Sequence, residues 1–203
     1  MKIFFKTLLL VGLLILNVTG SSLNAHPHVF IANKIQVIFD EKGVAGFKVS
    51  WAFDEMFSAM IAQDFDADKN GRLNENEIKT IKEKAFAYIA PHNYYINIKI
   101  NGEDFPIKFV RDFTARLEKG NLFYDFTIPC HVTALAAPKT ILVSPYDKEY
   151  YSALYFTEKD PVSIKAAKGF KVETRIAEDP DTRIYYDMVH PWTLFLNFKT
   201  GEV

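Results

Sequence analysis

The sequence predicts an α+β domain, mainly antiparallel β, built as a sandwich or an open sheet with one helix–loop–helix excursion. Three observations predict it. Short alternating runs rich in β-branched and aromatic residues recur along most of the chain, separated by turn residues. One stretch, residues 54–91, switches to spacings of three and four. At 49% hydrophobic and 15% aromatic, the chain has ample material for a core.

The elements follow in order. Val29 to Phe39 (VFIANKIQVIF) alternates in its second half through Ile35, Val37 and Phe39. Glu41-Lys42-Gly43 supplies a turn, and Val44 to Phe53 returns with Phe47, Val49 and Trp51 alternating, a hairpin pattern. Asp54 is placed to cap a helix carrying Met56, Phe57, Met60 and Ile61. After a polar stretch, a second helical run carries Ile78, Ile81, Ala85, Phe86 and Ile89, and Pro91 is expected to stop it. Tyr94 to Ile100, the tight turn Asn101-Gly102, and Phe105 to Val110 read as a second hairpin. Phe113 to Leu117 and Leu122 to Ile128, joined by Lys119-Gly120-Asn121, read as a third. Thr140 to Ser144, Ser152 to Phe156, Val162 to Ala166 and Phe170 to Ile176 are further strands. Thr193 to Phe198 is apolar but too short to classify. The helical excursion is too small to fold alone, so it belongs to the one domain.

The first 25 residues read as an address. Lys2 and Lys6 precede the uncharged run Leu8 to Val18, and the small residues Gly20, Ser21, Ser22 and Ala25 follow. A basic start, a short apolar run and a small-residue exit describe a secretory signal peptide over residues 1–25. The run is too short to span a bilayer, so no stable membrane span is expected after cleavage. Cleavage leaves 178 of the 203 residues, 26–203, as a single secreted domain; two lysines and no acid are lost, taking the net charge from −1 to −3. This balance excludes a dedicated nucleic-acid binder, and the single cysteine, Cys130, excludes a disulfide framework. Periplasmic or secreted localisation is the expectation.

The strongest chemical signal is Asp66 to Glu77, DADKNGRLNENE, which fits D-x-[DN]-x-[DN]-G-x5-E at each required place. Calcium takes six to eight oxygens, and a twelve-residue loop brings alternate side chains round one ion. Asp66, Asp68 and Asn70 each offer an oxygen, and Gly71 permits the turn that aims the Arg72 carbonyl at the metal. Asn74 takes the ninth place, direct or through water, and Glu77 closes the site from the exiting helix. Leu73 is apolar, as needed to pin the loop to neighbouring structure. Residues 54–91 therefore read as an EF-hand-like helix–loop–helix. Three carboxylates and no second loop predict weak binding, with Kd around 10⁻⁴–10⁻³ M, and favour a structural staple over a sensor.

Histidines supply a second candidate. His26 would open the mature chain, its α-amine and imidazole able to chelate copper, nickel, cobalt or zinc, with His28 adding a second imidazole. The competing reading is a flexible or strand-leading polar terminus. Cys130 and His131 fall on opposite faces of a strand, which favours a buried free thiol. His92 suits a structural place at a helix end, and His190 carries no local signal. Tyr146, Tyr150, Tyr151, Tyr155 and Phe156 fit either a pocket or a half-buried sheet surface. No nucleophile, zinc-protease, P-loop or dinucleotide motif is present, so no enzyme is expected.

Four features in order resemble a family of secreted bacterial proteins labelled domain of unknown function 1007. They are His26-Pro27-His28-Val29-Phe30 after the export signal, Trp51-Ala52-Phe53-Asp54, the loop Asp66 to Glu77, and Tyr146-Asp147-Lys148-Glu149-Tyr150-Tyr151. The last departs from the family's Asp-Pro-x-Tyr-Tyr form, the proline here preceding at Pro145. The resemblance implies the periplasmic component of an ABC-type transport system for divalent metals such as nickel, cobalt or zinc. Its partner would be a membrane transporter or another envelope protein. The chain shows no duplicated α/β half, so the implied part is an accessory one. Two alternatives stand beside it: a calcium-stapled interaction module with no transition-metal role, and, last, a copper enzyme using His26.

Overall fold

The computed structural model describes residues 27–201. The expected signal peptide and His26 lie outside the described residues. Among the described residues, eleven strands and two α-helices run in the order β1 (Val29–Phe39), β2 (Gly43–Phe53), α1 (Glu55–Phe65), α2 (Glu75–Lys84), then a 3-10 segment (Phe86–Tyr95). The rest is strand: β3 (Ile96–Ile100), β4 (Glu103–Phe105), β5 (Arg111–Glu118), β6 (Asn121–Thr133), β7 (Lys139–Pro145), β8 (Ser152–Phe156), β9 (Val162–Lys165), β10 (Phe170–Glu178) and β11 (Trp192–Thr200). Among the described residues no helix is long and apolar enough to cross a membrane.

The strands form two sheets, as expected of a mainly β, α+β fold. The first has the order β5-β6-β2-β1-β8, with β9 also on β1; the second runs β10-β11-β7-β3-β4. The second sheet is antiparallel throughout. The first is mixed: β8 and β9 both run parallel to β1, from Val29↔Ser152 and from Ile35↔Val162. Simple alternation did not foretell that pairing.

Alternation did select the buried face. Ile35, Val37 and Phe39 of β1 and Phe47, Val49 and Trp51 of β2 are all buried in one core that draws on both sheets. Each such side chain contributes about 1.5–3 kcal/mol on leaving water. Phe39 joins the sheets, its ring 5.2 Å from Phe170 and 5.7 Å from Phe198. At the β1–β2 turn, Asp40 Oδ1 accepts the N–H groups of Lys42 and Gly43. A Cβ on Gly43 would lie 2.3 Å from the Val132 carbonyl oxygen, so only glycine fits against β6 there.

α1 begins where expected. Asp54 Oδ1 accepts the Phe57 N–H at 2.9 Å, the N-cap bond, and Oδ2 accepts the Phe30 N–H at 2.8 Å. One carboxylate thus ties the helix to β1. Met56 and Met60, expected on the apolar face, are exposed. The face that packs holds Phe57, Ser58, Ile61 and Phe65. Ser58 replaces apolar bulk with two hydrogen bonds: its hydroxyl donates to the Asp54 carbonyl at 2.6 Å and accepts the Leu122 N–H at 2.9 Å.

Two expectations are corrected. The second helix does not continue to Pro91; α2 stops at Lys84, Ala85 leaves helical geometry at φ −124°, and the 3-10 segment passes through Pro91. Leaving the α-helix lets Phe86 reach an aromatic cluster, 4.3 Å from Phe113 and 5.2 Å from Tyr94. Phe105 to Val110 is not a strand: β4 ends at Phe105, because Pro106 has no N–H to give a ladder. The unclassified Thr193 to Phe198 lies within β11, flanked by β10 and β7.

Candidate metal site

Asp66 is the C-cap of α1 and Asn74 the N-cap of α2, so the twelve residues from Asp66 to Glu77 bridge two helices. The loop is wound by its own side chains. Asp66 Oδ1 and Oδ2 accept the N–H groups of Asn70 and Gly71 at 3.2 and 2.8 Å. Asp68 Oδ1 accepts the Asn70 N–H at 3.1 Å, and Asn70 Oδ1 accepts the Arg72 N–H at 2.8 Å. Gly71 sits at φ +76°, in the left-handed region, with nothing near its missing side chain. The glycine is there for the backbone turn.

Glu77 closes the loop. Its Oε1 accepts the Ala67 N–H and its Oε2 the Asn74 N–H, both at 2.9 Å. Asn74 Oδ1 accepts the N–H groups of Asn76 and Glu77, so the two residues form a reciprocal capping box. Oxygens from Asp66, Asp68 and Glu77 lie within 4.8 Å of one another. Asp66 and Glu77 are each only 6% exposed, yet among the described residues no lysine or arginine pairs with any of the three. Buried carboxylates are normally paired or metal-bound. A carboxylate has about four lone-pair sites, and backbone N–H groups take only part of that capacity here. The donor set is all oxygen, which suits a hard cation.

Each sequence-predicted residue except His26, which lies outside the described residues, can be placed. Asp66, Asp68 and Glu77 converge. Asn70 lies beside Asp68, its Nδ2 donating to Asp68 Oδ2 at 2.7 Å. The Arg72 side chain is exposed, as its expected carbonyl role allows. Asn74 uses its side-chain oxygen to cap α2. Leu73 packs against the core with Phe65 and Ile78, pinning the loop as anticipated. His28 is exposed; its N–H donates to the Tyr151 carbonyl at 2.8 Å and its ring lies 4.9 Å from that of Tyr151. It leads a strand, and it is not in the three-carboxylate cluster. Cys130 is buried and unpaired, and burial pushes its thiol up to about 12. His131 faces out, 3.8 Å from Asp40.

The fold and loop define a two-sheet β protein that carries a helix–loop–helix with a three-carboxylate cluster. A family model described as "Protein of unknown function (DUF1007)" matches residues 10–188, and the chain belongs to that family. It is also similar to the "Uncharacterized 15.5 kDa protein in trpE 3'region" of Spirochaeta aurantia. That similarity is 21% identity over 139 residues, 68% of this chain and 99% of the relative.

Proposed function

We propose that the chain is an exported, non-enzymatic calcium-binding protein whose loop, residues 66–77, holds one calcium ion as an EF-hand does. The observation that carries this reading is the convergence of Asp66, Asp68 and Glu77 within 4.8 Å in a twelve-residue loop. Asn70 and the Arg72 carbonyl would complete the oxygen set. The ion would offset the mutual repulsion of three carboxylates and fix α1 to α2. Because Leu73, Phe65 and Ile78 pack on the core, the ion acts as a staple between the excursion and the sheets.

The envelope location rests on residues 1–25. The accessory role in nickel, cobalt or zinc transport rests on the family resemblance and on His26 and His28. A second reading, the same stapled module with no transition-metal role, has one observation in its favour. Among the described residues, the only group of three or more metal-capable side chains is the loop, and it excludes His28.

Calorimetric titration of chelator-treated protein, residues 26–203, tests both readings. One calcium site is expected at about 10⁻⁴–10⁻³ M. No heat at millimolar calcium would sink the proposal. Nickel, cobalt or zinc bound below a micromolar, and lost when His26 and His28 are both changed to alanine, would favour the transport role over the plain module.

A further inference from the structure

A cavity of about 540 Å³ opens where the starts of β1 and β8 meet the junction of β10 with β11. Small-molecule sites occupy about 300–1,000 Å³. Three of the tyrosines noted for their spacing, Tyr146, Tyr150 and Tyr155, line it together with Phe30 and Trp192. Two carboxylates, Asp147 and Glu178, are also in the lining, and no lysine or arginine is. Asp147 is buried and accepts the N–H groups of Glu149 and Ser152, whereas Glu178 is exposed.

His190, also in the lining, has a fixed tautomer. Its Nδ1 lies 3.1 Å from the Asp179 carbonyl oxygen and 3.0 Å from that of Thr182. Both oxygens only accept, so Nδ1 carries the hydrogen. In the neutral form of the ring the lone pair then lies on Nε2, able to accept from a ligand. Burial first, then the charges of Asp104 and Asp179, hold the Tyr146 phenol above its ordinary range.

We propose that this cavity binds an organic ammonium ion with an apolar body. The five rings offer electron-rich faces to the cation and cover for its body. Glu178 supplies the opposite charge, and His190 Nε2 accepts an ammonium N–H. An anion would find no lysine or arginine in the lining. A bare metal would find too few ligands, because the only cluster of three metal-capable side chains among the described residues is the loop. A neutral apolar ligand would leave Glu178 and His190 unused. The inference stands independently of calcium.

The two tryptophans make the test direct. Trp51 is 2% exposed, so cavity binding registers mainly at Trp192, 50% exposed. Titration with 2-phenylethylammonium, in calcium buffer, is expected to give a saturable fluorescence change. The isosteric 2-phenylethanol is expected to bind about tenfold more weakly, and 3-phenylpropionate more weakly still. Glu178→Gln, an exposed change, is expected to weaken the ammonium ion about five- to tenfold. Trp192→Phe is expected to remove the signal while calorimetry still detects binding. No saturation at millimolar ammonium, equal binding of the alcohol, tighter binding of the carboxylate, or an unchanged Glu178→Gln would each overturn the assignment.

Discussion

Glu77→Gln is the sharpest perturbation of the loop, and its effect can be worked from the contacts. In the wild type both carboxylate oxygens accept a backbone N–H, from Ala67 and Asn74. Glutamine keeps one oxygen and turns the other into a donor facing a donor. At a site 6% exposed, that mismatch costs about 1–3 kcal/mol. Removing one of three like charges within 4.8 Å works the other way, by roughly 1 kcal/mol per pair at water-like screening. Without metal the two effects partly cancel, so the metal-free Tm is a poor reporter. The calcium dependence is a good one. With Kd near 10⁻⁴–10⁻³ M, about 5 mM calcium stabilises the wild type by roughly 1–2 kcal/mol through mass action. For a domain of this size that raises Tm by about 2–8 °C. Thermal unfolding followed by circular dichroism, in calcium and in chelator, should show that rise in the wild type and none in Glu77→Gln. A wild-type Tm indifferent to calcium, or an equal rise in the variant, refutes the reasoning.

Three further outcomes are expected. Ser58→Ala leaves the Leu122 N–H without its acceptor and should lower stability by about 1–3 kcal/mol in urea unfolding; no loss would show that α1 is not anchored through that hydroxyl. The Tyr124 hydroxyl is buried with no hydrogen-bond partner among the described residues, so Tyr124→Phe should raise Tm by about 2–4 °C, and a lower Tm would mean the hydroxyl is satisfied. Cys130 should resist thiol reagents in the native state and react once on unfolding. Its folded value near 12 lies above its ordinary 9.0, so above pH 9 the unfolded chain sheds a proton that the native one keeps. Stability should be intact below pH 9 and fall by up to about 1.4 kcal/mol per pH unit as pH rises toward 12. Cys130→Ala should remove the thiol's contribution to that slope between pH 9 and about 12.

The loop was legible because its carboxylates sit within twelve residues, where backbone geometry alone brings them together. Asn74 was read as a ligand position and also caps α2, a second task that the same residue type can serve and that the sequence reading did not name. β1, β2 and β8 were legible from alternation bounded by turns. β11 was not, because Leu194, Phe195 and Leu196 form a short continuous apolar run that fits a strand or a helix, although burial in the folded chain alternates through Leu194, Leu196 and Phe198. The parallel partners of β1 were hidden because alternation names a face and never a neighbour. The cavity escaped for a related reason: Phe30, residues 145–155 and residues 178–192 meet only in the folded chain, and His190 has no meaning until the Asp179 and Thr182 carbonyls surround its Nδ1.

The parallel pairing of β1 also sets an order of events. β1 can zip to β2 at once, through a short turn, and β6 joins the far edge of β2 once residues 121–133 have been made. Its other edge stays open until residues 152–165 arrive to fill it. Closing so long a loop is the entropically slow move in such a topology. A growing or threading chain therefore carries an uncapped strand, open to pairing with other copies, for most of its passage, and late residues end that exposure.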